Sequence, residues 1–418
     1  MLRIFAFLLS LATLCPAAPD EGAWSIEGHM RTMYESYRGL DFGLGSVDND
    51  DWIHQRVQAM FAWSPDPSLK LAAELTWGRM WGKESPLSPP DQDDVDFLQL
   101  FARGRVPLGD DDLVIQSGRQ TLYYGSGRLL AAREGANQRL AHDALLLSWQ
   151  RNEHTRVDAF IASPVAVEPE AFDNVSHPDE VRFWSLYSTM PLACGNYLDL
   201  YYIGLRDEDS IFAEDGGHET RHTIGTRLWR DGDGPWILNT ELIFQFGNAA
   251  GRDILAGAAS LGVGYTFADL PWSPSFQLKA DAISGGDDTG TLHTFHPLFQ
   301  ANNYFNEGGF ISPSNLYNLN PLVAFRPHEK LELTLGVNFQ WRFSPDDSVY
   351  GPPLQRLAGP APDGERYLGT AFNASLDWKI AASTDVFLGY TRHEAGSSLT
   401  AVGGTDVNYV QASFRQEF

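Results

Sequence analysis

From Leu331 the chain runs LELTLGVNFQWRF, with Leu331, Leu333, Leu335, Val337, Phe339, Trp341 and Phe343 on every second position. Glu332, Thr334, Gly336, Asn338, Gln340 and Arg342 fill the places between. A period of two sends these sets to opposite faces of a strand, one apolar and one polar. The same alternation recurs over 69–77, 240–246, 276–282 and 368–380, while helical period is scarce.

A strand of a soluble sandwich alternates too, so the connections have to decide. Alternate links are short and turn-like (SPDPS, LGDD, RNEH, DGDGP, PHEK, AAST). Those between are long and rich in Gly, Asp and Pro (LGSVDNDD, GKESPLSPPDQDDVD, SPDDSVYGPPLQRLAGPAPDGE). Short turns on one side and long loops on the other predict a transmembrane antiparallel β-barrel with short periplasmic turns and long extracellular loops. Counted by that rule from 24–38 to 407–418, the strands number about eighteen, an even count that leaves both termini on the periplasmic side. The chain ends VNYVQASFRQEF, with Val410, Ala412, Phe414 and Phe418 on one face, which resembles the last strand of outer-membrane proteins; Gln416 stands where an aromatic is usual. Trp52, Trp63, Trp77, Trp81, Trp341 and Trp378 fall near strand ends, where aromatic residues girdle a barrel.

Residues 1–18 carry Arg3, the apolar IFAFLLSLATL and then CPAAP, the order of a secretory signal, leaving 19–418 as a single barrel domain. A lipidated Cys15 is disfavoured by Leu14 before it. Removal of the signal leaves Cys194 alone, so no internal disulfide is expected. After the signal there is no apolar run of about eighteen residues, which excludes a helical membrane protein.

Composition then changes the picture of the interior. The chain has 54 acidic and 30 basic residues, a net charge of -24. A charge facing lipid near the midplane costs about 2 to 4 kcal/mol, so charged strand residues must face the lumen. The alternation sends Arg56, Lys70, Arg103, Arg105, Arg182, Arg221, Arg227, Lys279, Arg342, Lys379 and Arg415 inward, against Glu74, Asp199, Glu241, Asp281, Glu332, Asp377 and Glu417. Acid is concentrated instead in loops such as DNDD and DQDDVD, so the acidic total does not require a cation channel.

One connecting stretch stands out, GRQTLYYGSGRLLAAREGANQR over 118–139, with Arg119, Arg128, Arg133 and Arg139 against the single carboxylate of Glu134. It lies between two strands and is too long for a hairpin, so it is expected to fold inward and narrow the channel. Strict alternation would put Arg119 on the apolar face with Leu113 and Ile115. A register change at Gly118 is therefore expected, to turn Arg119 inward.

This stretch resembles the signature segment of the alginate export family of outer-membrane β-barrels, and GDDTGTLHTFHPLFQANNYFNEGGFISPSNLYNLNP from Gly286 is similar to a second segment of it. The resemblance implies a monomeric barrel that exports an anionic polysaccharide through an Arg-lined constriction, with Arg119, Arg128, Arg133 and Arg139 at the matching positions. Arg103, Arg105 and Arg342 join them as expected residues of the solute pathway. A guanidinium holds a carboxylate bidentately and never loses its charge, which suits uronate recognition. The alternative is a substrate-specific porin taking up acidic oligosaccharides or small organic anions. Expected partners are the anionic polysaccharide or oligosaccharide, outer-membrane lipid and lipopolysaccharide, and periplasmic secretion partners, with no nucleic acid.

Other motifs point nowhere. HETRH at 218–222 matches a zinc-protease pattern, but an alternating strand follows it, and an extended chain holds His218 and His222 about 13 Å apart. SVDNDDW and GGDDTG lack the spacing of a calcium loop and read as solvated acid. Ser126, His142 and Asp143 would be the candidates of an outer-membrane hydrolase, on sequence proximity alone. No enzyme, catalytic residue, metal or cofactor is expected.

Overall fold

The alternation closes on itself. In the computed structural model, which describes residues 24–151, 155–212, 216–231, 234–287 and 290–418, eighteen long strands pair antiparallel in chain order. They are β1 (Trp24–Arg38), β2 (Asn49–Asp66), β3 (Leu69–Trp81), β4 (Asp93–Leu108), β5 (Asp111–Gln120) and β6 (His142–Gln150); β7 (Arg156–Ala166), β8 (Val181–Pro191), β9 (Asn196–Asp207), β10 (Glu219–Arg230), β11 (Trp236–Ala249) and β12 (Arg252–Thr266); then β13 (Ser275–Ile283), β14 (Leu316–His328), β15 (Leu331–Arg342), β16 (Tyr367–Ala381), β17 (Thr384–Ala395) and β18 (Val407–Glu417). The last strand pairs with the first from His29↔Glu417 to Arg38↔Asn408, leaving no open edge. Gly28 and Phe418 exchange backbone hydrogen bonds of 2.9 Å, and a side chain on Gly28 would collide with the Phe418 ring. Among the described residues no helix is long and apolar enough to cross a membrane. The expected export signal, 1–18, lies outside the described residues.

Outward-facing Leu145, Ile161, Leu186, Leu242, Leu335 and Phe372 are exposed on the wall, whereas inward-facing Gln58, Gln116, Asp158, Glu241, Asn318 and Asn338 are buried. An apolar outside and a polar inside are what a strand spanning lipid requires. The LELTLGVNFQWR strand has the predicted facing throughout. The aromatic expectation needs one correction: Trp52 pairs with Glu35 and donates to its carboxylate at 2.8 Å inside the barrel, instead of girdling it. Trp24 and Trp63 stack on the outside, their ring centroids 5.8 Å apart.

The rule of long extracellular loops has one exception. Between β11 and β12 the link is Ala250–Gly251, with φ of 50 and 82, the paired left-handed geometry of a tight two-residue hairpin turn. The long loop 284–315 covers the low rim this leaves, Leu292 and Leu255 being joined at 3.0 Å. The acidic loops are not merely solvated: the Asp50 carboxylate accepts from the Glu84 and Ser85 amides at 2.8 and 2.9 Å, tying neighbouring loops together.

Candidate functional site: two loops inside the barrel

The segments 121–141 and 284–315, which follow β5 and β13, turn into the barrel and pair with each other. Leu130 bridges Phe299 in parallel; the Ala131 amide donates to the Phe299 carbonyl at 2.9 Å and the Phe299 amide to Leu129 at 2.8 Å. Leu122, Leu129, Leu130, Phe295 and Leu298 are the reason. In a loop outside the barrel they would face water; here they are buried against Phe160, Phe183 and Tyr187. Each such side chain contributes about 1.5–3 kcal/mol on burial, so the loops build a small apolar core inside a polar lumen. The two stretches singled out by resemblance are thus the two halves of one internal plug.

The wall of β7 to β11 is charge-balanced. Tyr124, Tyr187 and Tyr201 donate to Asp158, Asp199 and Glu241 at 2.8, 2.7 and 2.7 Å. The same three carboxylates pair with Arg156, Arg227 and Arg128 at 3.2, 3.1 and 2.5 Å. Tyr187 and Tyr201 stack in parallel, 5.2 Å apart.

The wall of β18, β1 and β2 is not balanced. Arg31 stands directly opposite Arg415 on one neighbour and Arg56 on the other, three like charges in one row across the sheet, of which Arg415 pairs with Glu417 at 3.5 Å. Onto this row the loop lays its one acid: Glu134 takes Arg56 on one carboxylate oxygen and Arg139 on the other at 2.8 Å. Arg31 donates to the carbonyls of Glu134 at 2.6 Å and Ala136 at 2.9 Å, and Arg56 to Ala136 at 3.0 Å. Partial burial raises the Glu134 carboxyl, but the guanidinium groups of Arg56, Arg139 and Arg31 overcome this and hold it below the ordinary carboxylate range.

Two cavities follow this wall. The upper, about 320 Å³, lies beneath the extracellular loops and is lined by Tyr37, Trp52, Phe310 and Tyr409, with Arg133 set among the carboxylates of Glu35, Asp41, Asp91 and Glu307. The lower, about 660 Å³, runs along β14 to β18 and β1 and is lined by both signs of charge, Arg31, Lys379 and Arg415 facing acids that include Glu332, Asp377 and Asp385. Both are bounded by Met33, Gly135, Asn303, Glu307 and Gln411, so these five residues form the partition between them. Burial raises the Glu307 carboxyl, opposed by the Asn303 side chain that donates to it at 3.1 Å.

The expected site residues separate accordingly. Arg128 is inside the plug but neutralised by Glu241. Arg133 donates to the Gln300 carbonyl at 3.2 Å, and among the described residues no carboxylate forms an ion pair with it. Burial alone lowers it to about 10. Arg139 belongs to the Glu134 cluster. Arg103 faces the lumen and donates to Gln116 at 2.6 Å; Arg105 lies near the periplasmic mouth with Asp112 at 2.5 Å.

Two placements are corrected. The pairing of β5 with β4 and β6 runs unbroken through Gly118, so there is no register change there. Gly118 instead takes φ 121, where a Cβ would sit 2.3 Å from the Leu100 carbonyl oxygen. Arg119 therefore stays on the outward face, held by Asp143 at 3.0 Å and the Asn174 carbonyl at 3.0 Å, out of the lumen. Arg342 is on the inward face but sealed beneath loops, donating to Ser398 at 2.6 Å and to the Asp347 and Gly359 carbonyls at 2.6 and 2.7 Å.

Arg31 is the residue that sequence reasoning missed. Its signal was present, because alternation from Trp24 puts Arg31 on the face of His29, Met33 and Glu35. The hydrolase candidates do not meet: Ser126 contacts Glu241, both ring nitrogens of His142 are buried without a partner, and Asp143 faces outward with Arg119. HETRH splits likewise, Glu219 lying inward with Arg221 at 2.5 Å while His222 bonds Tyr202 at 2.8 Å.

A closed antiparallel barrel with an apolar exterior, a polar lumen and loops folded inward defines an outer-membrane channel. The sequence pattern of alginate export matches residues 23–413, and the chain belongs to that family. No curated protein matches it in sequence. Among solved structures it is similar to Pseudomonas aeruginosa OccK8 (OprE), at 11% identity and TM-score 0.63, covering 94% of this chain and 98% of that one. OccK5 (OpdH) of the same organism matches at 12% identity and TM-score 0.61 over 94% and 98%. OpdK, solved with vanillate, matches at 11% and 0.60 over 94% and 98%. At these identities the likeness is one of fold.

Proposed function

We propose that the protein passes a negatively charged, alginate-like polysaccharide across the outer membrane, outward, along the β18–β1–β2 wall. The observation that supports this is an asymmetry of the lumen: Arg128, Arg156 and Arg227 each have a carboxylate of their own along β7–β11, whereas on the other side Arg31, Arg56 and Arg139 gather at the loop tip around the one carboxylate of Glu134. An Arg and a carboxylate about 4 Å apart attract by roughly 4 kcal/mol at an effective dielectric near 20, against about 1 in water. Several such contacts hold a polyanion while each remains weak enough to release. The outward direction rests on the family, since a passive pore has none of its own.

Uptake of small organic anions is the second reading, and the upper cavity favours it. About 320 Å³ walled by the rings of Tyr37, Trp52 and Tyr409 suits a single ring, with Arg133 as the cation such an anion would meet among the acids Glu35, Asp41, Asp91 and Glu307. OpdK, similar in fold, was solved with a carboxylate, vanillate. In planar bilayers under a KCl gradient the reversal potential is expected to have the anion-selective sign despite the net charge of -24. Arg31, Arg56 and Arg139 replaced together by Ser should move it toward cation selectivity. A cation-selective unmodified protein overturns both readings, whereas block by oligouronates but not by single-ring acids favours the polysaccharide.

A further inference from the structure

Arg31 and Arg56, side by side across the sheet, and Arg139 on the loop above them repel one another unless an anion sits among them. We propose that Arg31, Arg56 and Arg139 form a binding site for one carboxylate of the passing solute, and that Glu134 occupies it as an internal ligand until a solute carboxylate displaces it. The proposal rests on the reading of the solute as an anion. It goes further by naming the seat and the group that fills it at rest.

Glu134 already shows what the site holds. Its two carboxylate oxygens are divided between two cations, Arg56 hydrogen-bonded to one and Arg139 forming an ion pair with the other. Arg31 and Arg56 also donate to the carbonyls of 134–136, so those two guanidiniums are covered by the loop tip. Glu134 itself is half exposed to the lower cavity, within reach of a solute moving along the wall.

The tip is built to lift. On one side Leu130, Ala131 and Ala132 are buried in the plug; on the other the Asn137 side chain donates to the Asp91 carbonyl at 2.8 Å and the Gln138 amide to Pro90 at 2.8 Å. The Leu140 amide closes the base on the Ala132 carbonyl at 2.9 Å. Between these anchors Glu134 and Gly135 are exposed, and a Cβ on Gly135 would meet nothing within 4 Å. At the hinge Arg133 is held at φ 54, a conformation that side chains other than Gly adopt rarely. Gly135 also belongs to the partition between the cavities. Displacing Glu134 and, with it, the carbonyl contacts of 134–136 uncovers Arg31 and Arg56 and widens the passage in one movement.

The test is single-channel block by trigalacturonate, with neutral maltotriose as the control. Glu134→Gln keeps the side-chain shape and removes the competing charge, so trigalacturonate should block at about tenfold lower concentration, the worth of one charge-assisted contact, with maltotriose unchanged. In the unmodified protein, amide hydrogen exchange over 133–136 should quicken when trigalacturonate is added and stay the same with maltotriose; this arm needs no variant to fold. Unchanged or weaker block in Glu134→Gln, or a gain shared equally by maltotriose, overturns the proposal, as does exchange indifferent to trigalacturonate. Block that Arg139→Ser relieves but Glu134→Gln does not strengthen removes the internal ligand and leaves the anion channel standing. No block in either protein sinks both.

Discussion

Arg128 and Arg133, five positions apart on one inward loop, are in opposite situations. Arg128 is buried with Glu241 at 2.5 Å and contacts the Tyr304 hydroxyl, so its charge is cancelled where it stands. Arg133 has a carbonyl partner and the open upper cavity. Replacing Arg128 by Ser leaves Glu241 buried without its cation, and breaking a buried pair costs about 3–5 kcal/mol. Thermal unfolding in detergent should register that loss with little change in reversal potential. Arg133→Ser should do the reverse, lowering anion preference at near-constant stability. Glu134 adds a pH dependence. A carboxyl held below its ordinary value stabilises its contacts above the unfolded pKa and loses them as pH falls through the folded one. The tip should stay seated down to the ordinary carboxylate range and lift only on further acidification. Conductance of the unmodified protein should then approach that of Glu134→Gln, whose own profile lacks this step; parallel profiles at every pH would contradict it.

At the scale of the element, each strand is specified by the face it gives to lipid. Leu335 is 41% exposed on the outer wall, and Arg there should impair folding into bilayers by roughly 2–4 kcal/mol. The inward control must be chosen with the loops in mind. Asn338 is fully enclosed and would not receive an Arg, whereas Thr334, lower on the same face and only partly buried, should. Equal folding yields of Leu335→Arg and Thr334→Arg in lipid vesicles would refute the register. Gly118 shows the limit of reasoning within an element. A glycine in a strand beside an Arg of the wrong parity signals a bulge, yet the chain absorbed the glycine as a positive φ and kept its register, because Asp143 and the Asn174 carbonyl satisfy Arg119 on the outer side.

For the whole molecule, the barrel was legible because it is a local property repeated eighteen times. Period-two facing, turn length and the closing Phe418 are all written within a few residues of one another. The plug was half legible: composition marked 118–139 as basic, but nothing in it says that Leu130 will pair with Phe299, a contact between two distant loops made inside the barrel to bury their apolar residues. The choice among arginines was not legible at all. Arg119, Arg128, Arg133 and Arg139 carry the same charge in the sequence, and only the fold gives Arg119 and Arg128 their acids, leaves Arg133 without one among the described residues and sets Arg139 with Arg31 and Arg56 around Glu134. Strand facing depends on neighbours two positions apart, so the sequence determined it alone. Net charge at a point in the lumen depends on carboxylates brought from β9, β11 and the far loops, and long-range pairing is decided only when the barrel closes.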